Sequence, residues 1–157
     1  MPEVYSGLYF KTIKEGSAPS GDDIRFAQIM LSNFSFHVTA DGVFGPKTTN
    51  AVINFQKRSG ITADGIIGTN TWSRLAPTLS ENYNYWNKTT AIKLIQNKLN
   101  LDIKNLIEFE GDTLLKVDGV YGSKTKAQVK KFQRYWQLTQ DGIWGKKCWG
   151  AYMCDFY

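Results

Sequence analysis

Residues 41–75 align with residues 118–152 without a gap, at a constant offset of 77, and fifteen of the 35 positions are identical. The identities include Asp41/Asp118, Gly42/Gly119, Gly45/Gly122, Lys47/Lys124, Thr48/Thr125, Phe55/Phe132, Gln56/Gln133, Asp64/Asp141, Gly68/Gly145 and Trp72/Trp149. A chain that repeats itself at this period repeats a structural unit, so the fold has to be read as two copies before anything else. The likeness continues upstream at a different offset, where Ile24–Leu31 matches Ile92–Leu99 and Gln28 matches Gln96. Gln28 precedes Asp41 by 13 residues and Gln96 precedes Asp118 by 22, so the second copy carries nine extra residues within about 100–116.

Each copy contains a shorter pattern twice: DGVFG at Asp41, DGIIG at Asp64, DGVYG at Asp118 and DGIWG at Asp141. Asp-Gly favours a tight turn, because glycine tolerates positive φ and aspartate bonds its own downstream backbone. The β-branched residue that follows is expected to enter the core, and the second glycine to end the extended piece at a helix start. Phe44, Ile67, Tyr121 and Trp144, the variable fourth residues, are all large and apolar. Their variation suits a partly exposed place beside a cleft, so they are candidates for ligand contact, with a place in the core as the equal alternative. Asp22-Asp23 precedes Ile24 as a helix N-terminus carrying negative charge, and Pro46 follows Gly45 as expected at a first helical position. Thr48, Val52 and Phe55 then form a buried stripe that Gly60 can close, and Thr69 opens a short helix carrying Trp72 and Leu75. The second copy matches over residues 92–99, 123–136 and 146–152.

The resulting expectation is an all-α protein of two three-helix modules joined by turn-held links. The first module spans 22–76 and the second 88–157, with an N-terminal extension at 1–21, an aromatic linker at 77–87, and room for a small hairpin in the insertion at about 100–116. Residues 4–13 are left with two options, pairing as a strand with that insertion or covering a helix. Modules this small have thin cores, and the repeated Trp and Phe rings compensate with large buried areas. Trp72 and Trp149 are read as core, and Gln28, Gln56, Gln96 and Gln133 as buried amides bonded to loop backbone.

Several function classes lack support. The net charge of +5 is spread out, with Lys130-Lys131 and Lys146-Lys147 the densest pairs, and marks no nucleic-acid patch. No apolar run approaches a membrane span, and Met1–Tyr5 lacks the layout of a signal peptide. His37 is the single histidine, too little for a zinc site, and one aspartate per turn lacks the ligand spacing of a calcium loop. No cofactor, metal or catalytic residue is assigned. Cys148 and Cys154 are read as free thiols.

The pattern D-G-[VI]-x-G-x-x-T, then a helix ending in Phe-Gln, then D-G-I-x-G and a Trp, resembles the peptidoglycan-binding domain that accompanies cell-wall hydrolases of bacteria and phages. The resemblance covers about 22–152. It implies a non-catalytic anchor whose partner is peptidoglycan, through stem peptide or glycan, working beside a covalent or associated catalytic domain. It implies a place in the cell wall or outside the cell, or delivery during phage lysis. Asn54 and Arg58 in the first copy, and Lys131 and Tyr135 in the second, join the four link residues as candidate ligand contacts. The second copy departs from the pattern at Gln137 (Gly60 in the first), at Cys148 (Thr71) and in its insertion. One ordinary cleft, in 22–76, is therefore expected. Two other readings stand beside this one. The chain can be a protein-interaction module of a phage or spore structure, or belong to a cell-wall hydrolase, either as a fragment (endolysin or amidase) whose catalytic domain is absent here or with its active site in residues 1–21 or the insertion.

Overall fold

The computed structural model describes residues 8–18 and 22–153. The described residues fall into two units that divide between Pro77 and Thr78. The first unit holds α1 (Asp23–Asn33), α2 (Pro46–Ser59) and α3 (Thr69–Leu75). The second holds α4 (Lys88–Asn105), a 3-10 turn (Ile107–Phe109), α5 (Ser123–Tyr135) and α6 (Lys146–Tyr152). The only extended pairing among the described residues is two isolated bridges, one in each unit. The insertion therefore forms no hairpin. It lengthens α4 past the point where α1 stops and adds the 3-10 turn.

α2 and α5 show why these segments are helical. Each starts at an extended glycine, Gly45 or Gly122, with no side-chain cap. In α2 the fixed φ of Pro46 at the first position replaces that cap. Both bury the same stripe at helical spacing: Thr48, Ala51, Val52, Phe55 and Gln56 in α2, and Thr125, Gln128, Val129, Phe132 and Gln133 in α5. Both end in the same left-handed turn. Gly60 has φ 70°, and Ile61 N donates to Gln56 O at 3.1 Å. Gln137, at the aligned position, has φ 57°, and Leu138 N donates to Gln133 O at 2.7 Å. The second module thus keeps the turn and accepts backbone strain that glycine avoids.

The links run opposite to expectation at the third position and take the core alternative at the fourth. The third residue faces outward: Val43 is 63% exposed, Val120 60% and Ile143 41%. The fourth faces inward, with Phe44 at 3%, Tyr121 at 4%, and Ile67 and Trp144 at 0% exposure. The backbone N–H of each third residue is bonded to the link aspartate, and its carbonyl to a buried glutamine, as described below. Its side chain must then turn away, and the alternation of an extended chain places the next residue inside. Phe44, Ile67, Tyr121 and Trp144 are consequently core residues. Trp144 packs on Phe132 at 4.6 Å and on Trp149 at 5.6 Å between ring centroids, while Tyr121 Oη donates to Gly142 O at 2.5 Å and joins the two links of its module.

Each unit also has an incoming segment that pairs with its second link. Ile13 and Ile67 exchange both backbone hydrogen bonds, at 3.0 and 2.9 Å. Leu79 and Trp144 do the same at 2.9 and 3.0 Å. Ile67 and Trp144 are equivalent in the repeat, so residues 8–18 do for the first module what the start of the aromatic linker does for the second. The extension is held further by Asp23, whose carboxylate accepts Tyr9 N and Lys11 N at 2.8 Å each, and by Trp72 Nε1, which donates to Lys11 O at 2.9 Å. Burial raises the Asp23 pKa despite those two donors.

A left-handed non-glycine residue costs about 1–2 kcal/mol, more than the extra unfolded-state freedom of glycine, about 0.5–1 kcal/mol. Gln137→Gly should therefore stabilise the second module by about 0.5–1 kcal/mol, and Gly60→Gln should destabilise the first. Urea midpoints of the two variants and the parent check this; a lower midpoint for Gln137→Gly contradicts it.

Candidate functional site

Four buried glutamines organise the links. Gln28 Nε2 lies 3.0 Å from Asp41 Oδ1, 3.0 Å from Val43 O and 3.1 Å from Thr48 Oγ1, while Gly42 N donates to Gln28 Oε1 at 2.9 Å. Asp41 Oδ1 also accepts Val43 N at 2.9 Å. The same set recurs at Gln56 with Asp64, Gly65, Ile66 and Thr71. It recurs again at Gln96 with Asp118, Gly119, Val120 and Thr125. At Gln133 the partners are Asp141, Gly142 and Ile143, and the threonine is replaced by Cys148, whose Sγ stands 3.7 Å from Nε2. One carboxamide thus serves the N–H and C=O groups that a tight link would leave unpaired. These glutamines are scaffold.

The chemistry of the link residues agrees. Asp41, Asp64, Asp118 and Asp141 titrate below the ordinary carboxylate value, first because of the backbone N–H two residues on and then because of the glutamine amide. Burial pushes the Cys148 thiol up to about 11, so it is protonated near neutrality and is no nucleophile. Cys154 lies outside the described residues. Among the described residues no three His, Cys, Asp or Glu side chains are placed to hold a metal ion.

An open groove lies in the first module. After α1, Ser35 takes a left-handed φ of 73°, and Phe36 N returns to Leu31 O at 2.8 Å. The Phe36 ring packs edge-on against Phe55 at 5.7 Å. Ser32 Oγ holds Val38 from both sides, accepting its N–H at 3.2 Å and donating to its carbonyl at 2.9 Å. Residues 34–39 are thereby held beside α2, and a groove of about 710 Å³ opens between them. Lys47, Asn50 and Asn54 line it from α2, and Ser35, Phe36, His37 and Thr39 from the loop. Lys47, Asn50 and Asn54 recur at i, i+3 and i+7, one helix face. The groove offers one ammonium, two carboxamides, three hydroxyls (Ser32, Ser35 and Thr39), an imidazole and a ring edge. That set suits a ligand with carboxylate and amide groups.

Of the sequence candidates in the first module, Asn54 lines this groove, Arg58 stands exposed in the last turn of α2 outside the lining, and Phe44 and Ile67 are inside the core. Lys47, Asn50 and His37 were missed. Lys47 has the same identity in both copies and passes for a scaffold position; His37, a lone histidine, carries no binding signature in the sequence.

The second module uses the corresponding face differently. Its equivalents of Lys47, Asn50, Ala51 and Asn54 are Lys124, Ala127, Gln128 and Lys131. The insertion reaches this face. Lys131 Nζ binds both oxygens of Asp112 at 2.6 Å, and Gln128 Nε2 lies 3.4 Å from Asp112 Oδ2. Phe109 of the 3-10 turn is buried, its ring 6.4 Å from that of Tyr135. What remains is a cavity of about 310 Å³ lined by Glu108, Phe109, Lys131, Arg134 and Tyr135. Lys131 and Tyr135, both sequence candidates, therefore do meet, but around a side chain of the chain itself. The Lys131 ammonium holds the Asp112 carboxyl below its ordinary range, and burial, followed by Glu108, raises the Tyr135 phenol.

Comparison with known proteins gives the same division. Residues 20–75 and 88–151 each match the model of the family described as a peptidoglycan binding domain. The chain is 31% identical over 148 residues to a probable N-acetylmuramoyl-L-alanine amidase of Bacillus licheniformis, covering 82% of this chain and 41% of that protein. It is 31% identical over 160 residues to N-acetylmuramoyl-L-alanine amidase CwlL of the same species, covering 85% and 42%. A solved peptidoglycan-binding protein from Clostridioides difficile, in complex with glutamine hydroxamate, shares 45% identity over 42% of this chain and 40% of its own, with a TM-score of 0.39. The chain spans about two fifths of the length of the two curated relatives.

Two outcomes follow from the clamps. The link carboxylates titrate near 3.8 when unperturbed and lower in the folded protein. Their contribution to stability is complete above that value and is lost as pH falls through the lower native values, so the melting temperature should drop steeply below about pH 4. Gln56→Leu should destabilise the first module by roughly 2 kcal/mol or more, because each orphaned buried group costs about 1–3 kcal/mol. Thermal melts across pH 2–7 and denaturant curves read both; an unchanged Gln56→Leu midpoint contradicts the clamp.

Proposed function

The chain belongs to the peptidoglycan binding domain family, and from that premise we propose that it is the wall-holding part of a wall-lytic protein, with the first-module groove as its ligand site. The observation that carries this reading is the contrast between the modules. The α2 face carries Lys47, Asn50 and Asn54 beside an open groove. In the second module the insertion lays Asp112 against the equivalent helix.

The lining favours stem peptide over glycan. A stem peptide presents carboxylates and amides, which Lys47 and the two asparagines complement; flat sugar faces need stacked rings, and Phe36 is the one aromatic lining residue. Asp112 on Lys131 is the internal counterpart of such a contact, a carboxylate on the cation that replaces Asn54. The anchor itself is non-catalytic in this reading, and the wall-cutting step belongs to another domain, covalent or associated. Tethering raises the local concentration of that domain on its substrate. The work is done at the cell wall or outside the cell. No described helix is long and apolar enough to cross a membrane.

Co-sedimentation with purified peptidoglycan tests the site. The parent chain should pellet, and Lys47→Ala with Asn54→Ala should lower its affinity about tenfold, the loss of one to two charge-assisted or neutral hydrogen bonds at about 0.5–3 kcal/mol each. Lys131→Ala should leave retention unchanged. Equal retention of all three proteins, or none by the parent, contradicts the proposal. A wall suspension should keep its turbidity in the presence of the chain alone.

A further inference from the structure

The two modules share a scaffold but not a charge. Residues 78–157 hold twelve basic and eight acidic residues, and residues 1–77 hold seven and six. Four of the five net charges therefore lie in the second module, and α5 concentrates them. Its thirteen residues include Lys124, Lys126, Lys130, Lys131 and Arg134 and no acidic residue. At 100° per residue these five span the arc opposite the buried stripe, so the whole outward side of the helix is cationic. The equivalent arc of α2 carries Thr49 and Ile53 where α5 carries Lys126 and Lys130.

Those two exchanges also fix the lysines in place. A Cβ added to Gly65 in the first module would meet Thr49 and Ile53. A Cβ added to Gly142 would meet Lys126 Cγ at 2.8 Å and Cε at 3.1 Å, and Lys130 Cε at 3.2 Å. Both stems thus lie over the Gly142 turn and cover it as apolar material, which leaves the ammonium groups at its edge. Asp141 beside that turn is already bound by Gln133 Nε2 and Ile143 N. Among the described residues only Lys131 of the five has an ion-pair partner, Asp112. Lys126, Lys130 and Arg134 follow one another at four-residue steps, about 6 Å apart along the axis. The result is a row of cations, two of them with stems held over the turn; none of the three has an ion-pair partner among the described residues, and Glu108, which shares the cavity beside Arg134, is the nearby carboxylate.

We infer that this α5 face binds an anionic wall polymer whose units are joined by phosphodiesters, giving the chain a second hold on the wall beside the groove. The choice of a wall polymer rests on the proposed wall-binding role. The face itself argues against the other polyanions. A nucleic-acid strand would need exposed rings for its bases, but Tyr135 is half-buried and Phe132 and Trp136 are buried. An anionic membrane would need an exposed apolar stripe to bury, and the stripe of α5 is spent on the core.

Soluble poly(glycerol phosphate) is the probe, measured by titration calorimetry with the whole chain. Binding is expected at low ionic strength, and it should vanish near 1 M salt, where the screening length is about 3 Å. Lys126→Met, Lys130→Met and Arg134→Gln together should weaken it about tenfold or more, with the melting temperature held because the apolar stems remain. Lys126→Arg with Lys130→Arg should keep it. The inference is overturned if the parent chain does not bind, if the triple variant binds as the parent does, or if an oligodeoxynucleotide with the same number of phosphates binds more tightly. Retention on peptidoglycan stripped of phosphodiester polymers, read on the same proteins, should be the same for parent and triple variant. Loss of retention by both proteins strikes the groove and leaves the polymer measurement to decide the α5 face, whereas lower retention of the triple variant alone overturns the inference.

Discussion

The carboxamide of a buried glutamine holds each link between helices in place. A five-residue link carrying an Asp-Gly turn exposes more backbone N–H and C=O groups than it can pair internally. One glutamine on the preceding helix accepts the glycine N–H and donates to the carbonyl of the next residue. The aspartate and a threonine complete the set. This bonding turns the third link residue outward and the fourth inward, and so decides which rings make the core. It also sets where the next helix starts, because the chain leaves the clamp at an extended glycine. A carboxamide does not titrate, so the centre of the clamp is indifferent to pH and only its aspartate arm responds. The fourth clamp is the softest, since Cys148 offers a distant sulfur where the others offer a hydroxyl.

With the inside of both modules set this way, the changes that alter what the modules can hold lie on the outside. The outward arc of α2 mixes Lys47 and Lys57 with threonine, isoleucine and asparagine, and that of α5 is cationic throughout. The segment after the first helix is short and leaves a groove in one module; in the other it is long and lays a carboxylate on Lys131. These changes touch no clamp. A duplicated scaffold can thus carry two different surfaces at no cost to folding, which is why equality of the modules in sequence pattern does not imply equality in what they hold.

The repeat, the helix starts and the turns are legible in the sequence because each has a local chemical signature: Asp-Gly, a glycine before a helix, Pro46 at a first position. The burial of Trp72, Trp149 and the glutamines is legible from spacing. The phase of the links is not. An extended piece of two residues has no neighbours to show which side is inward, and only the remote bond to glutamine decides it; hence Phe44, Ile67, Tyr121 and Trp144 read as candidate contacts and are core. The bridges at Ile13 and Leu79 are illegible for a related reason, since they are made by backbone and leave no mark on residue type. In the groove, Asn54 was within reach of sequence reasoning. Lys47 was hidden behind its reading as a repeat position, and His37 is a lone histidine without a binding signature.

The incoming segments bear on how such a module can be moved from one protein to another, by recombination or by hand. A cut at the first residue of α1 would leave Ile67 with an open backbone edge. It would take the acceptor from the Trp72 indole and strip both donors from the buried Asp23 carboxylate. A cut at the first residue of α4 would open the edge at Trp144 in the same way. The portable unit therefore begins upstream of its first helix, near residue 8 in one copy and residue 78 in the other. A graft that respects helix boundaries alone would carry an unfinished core.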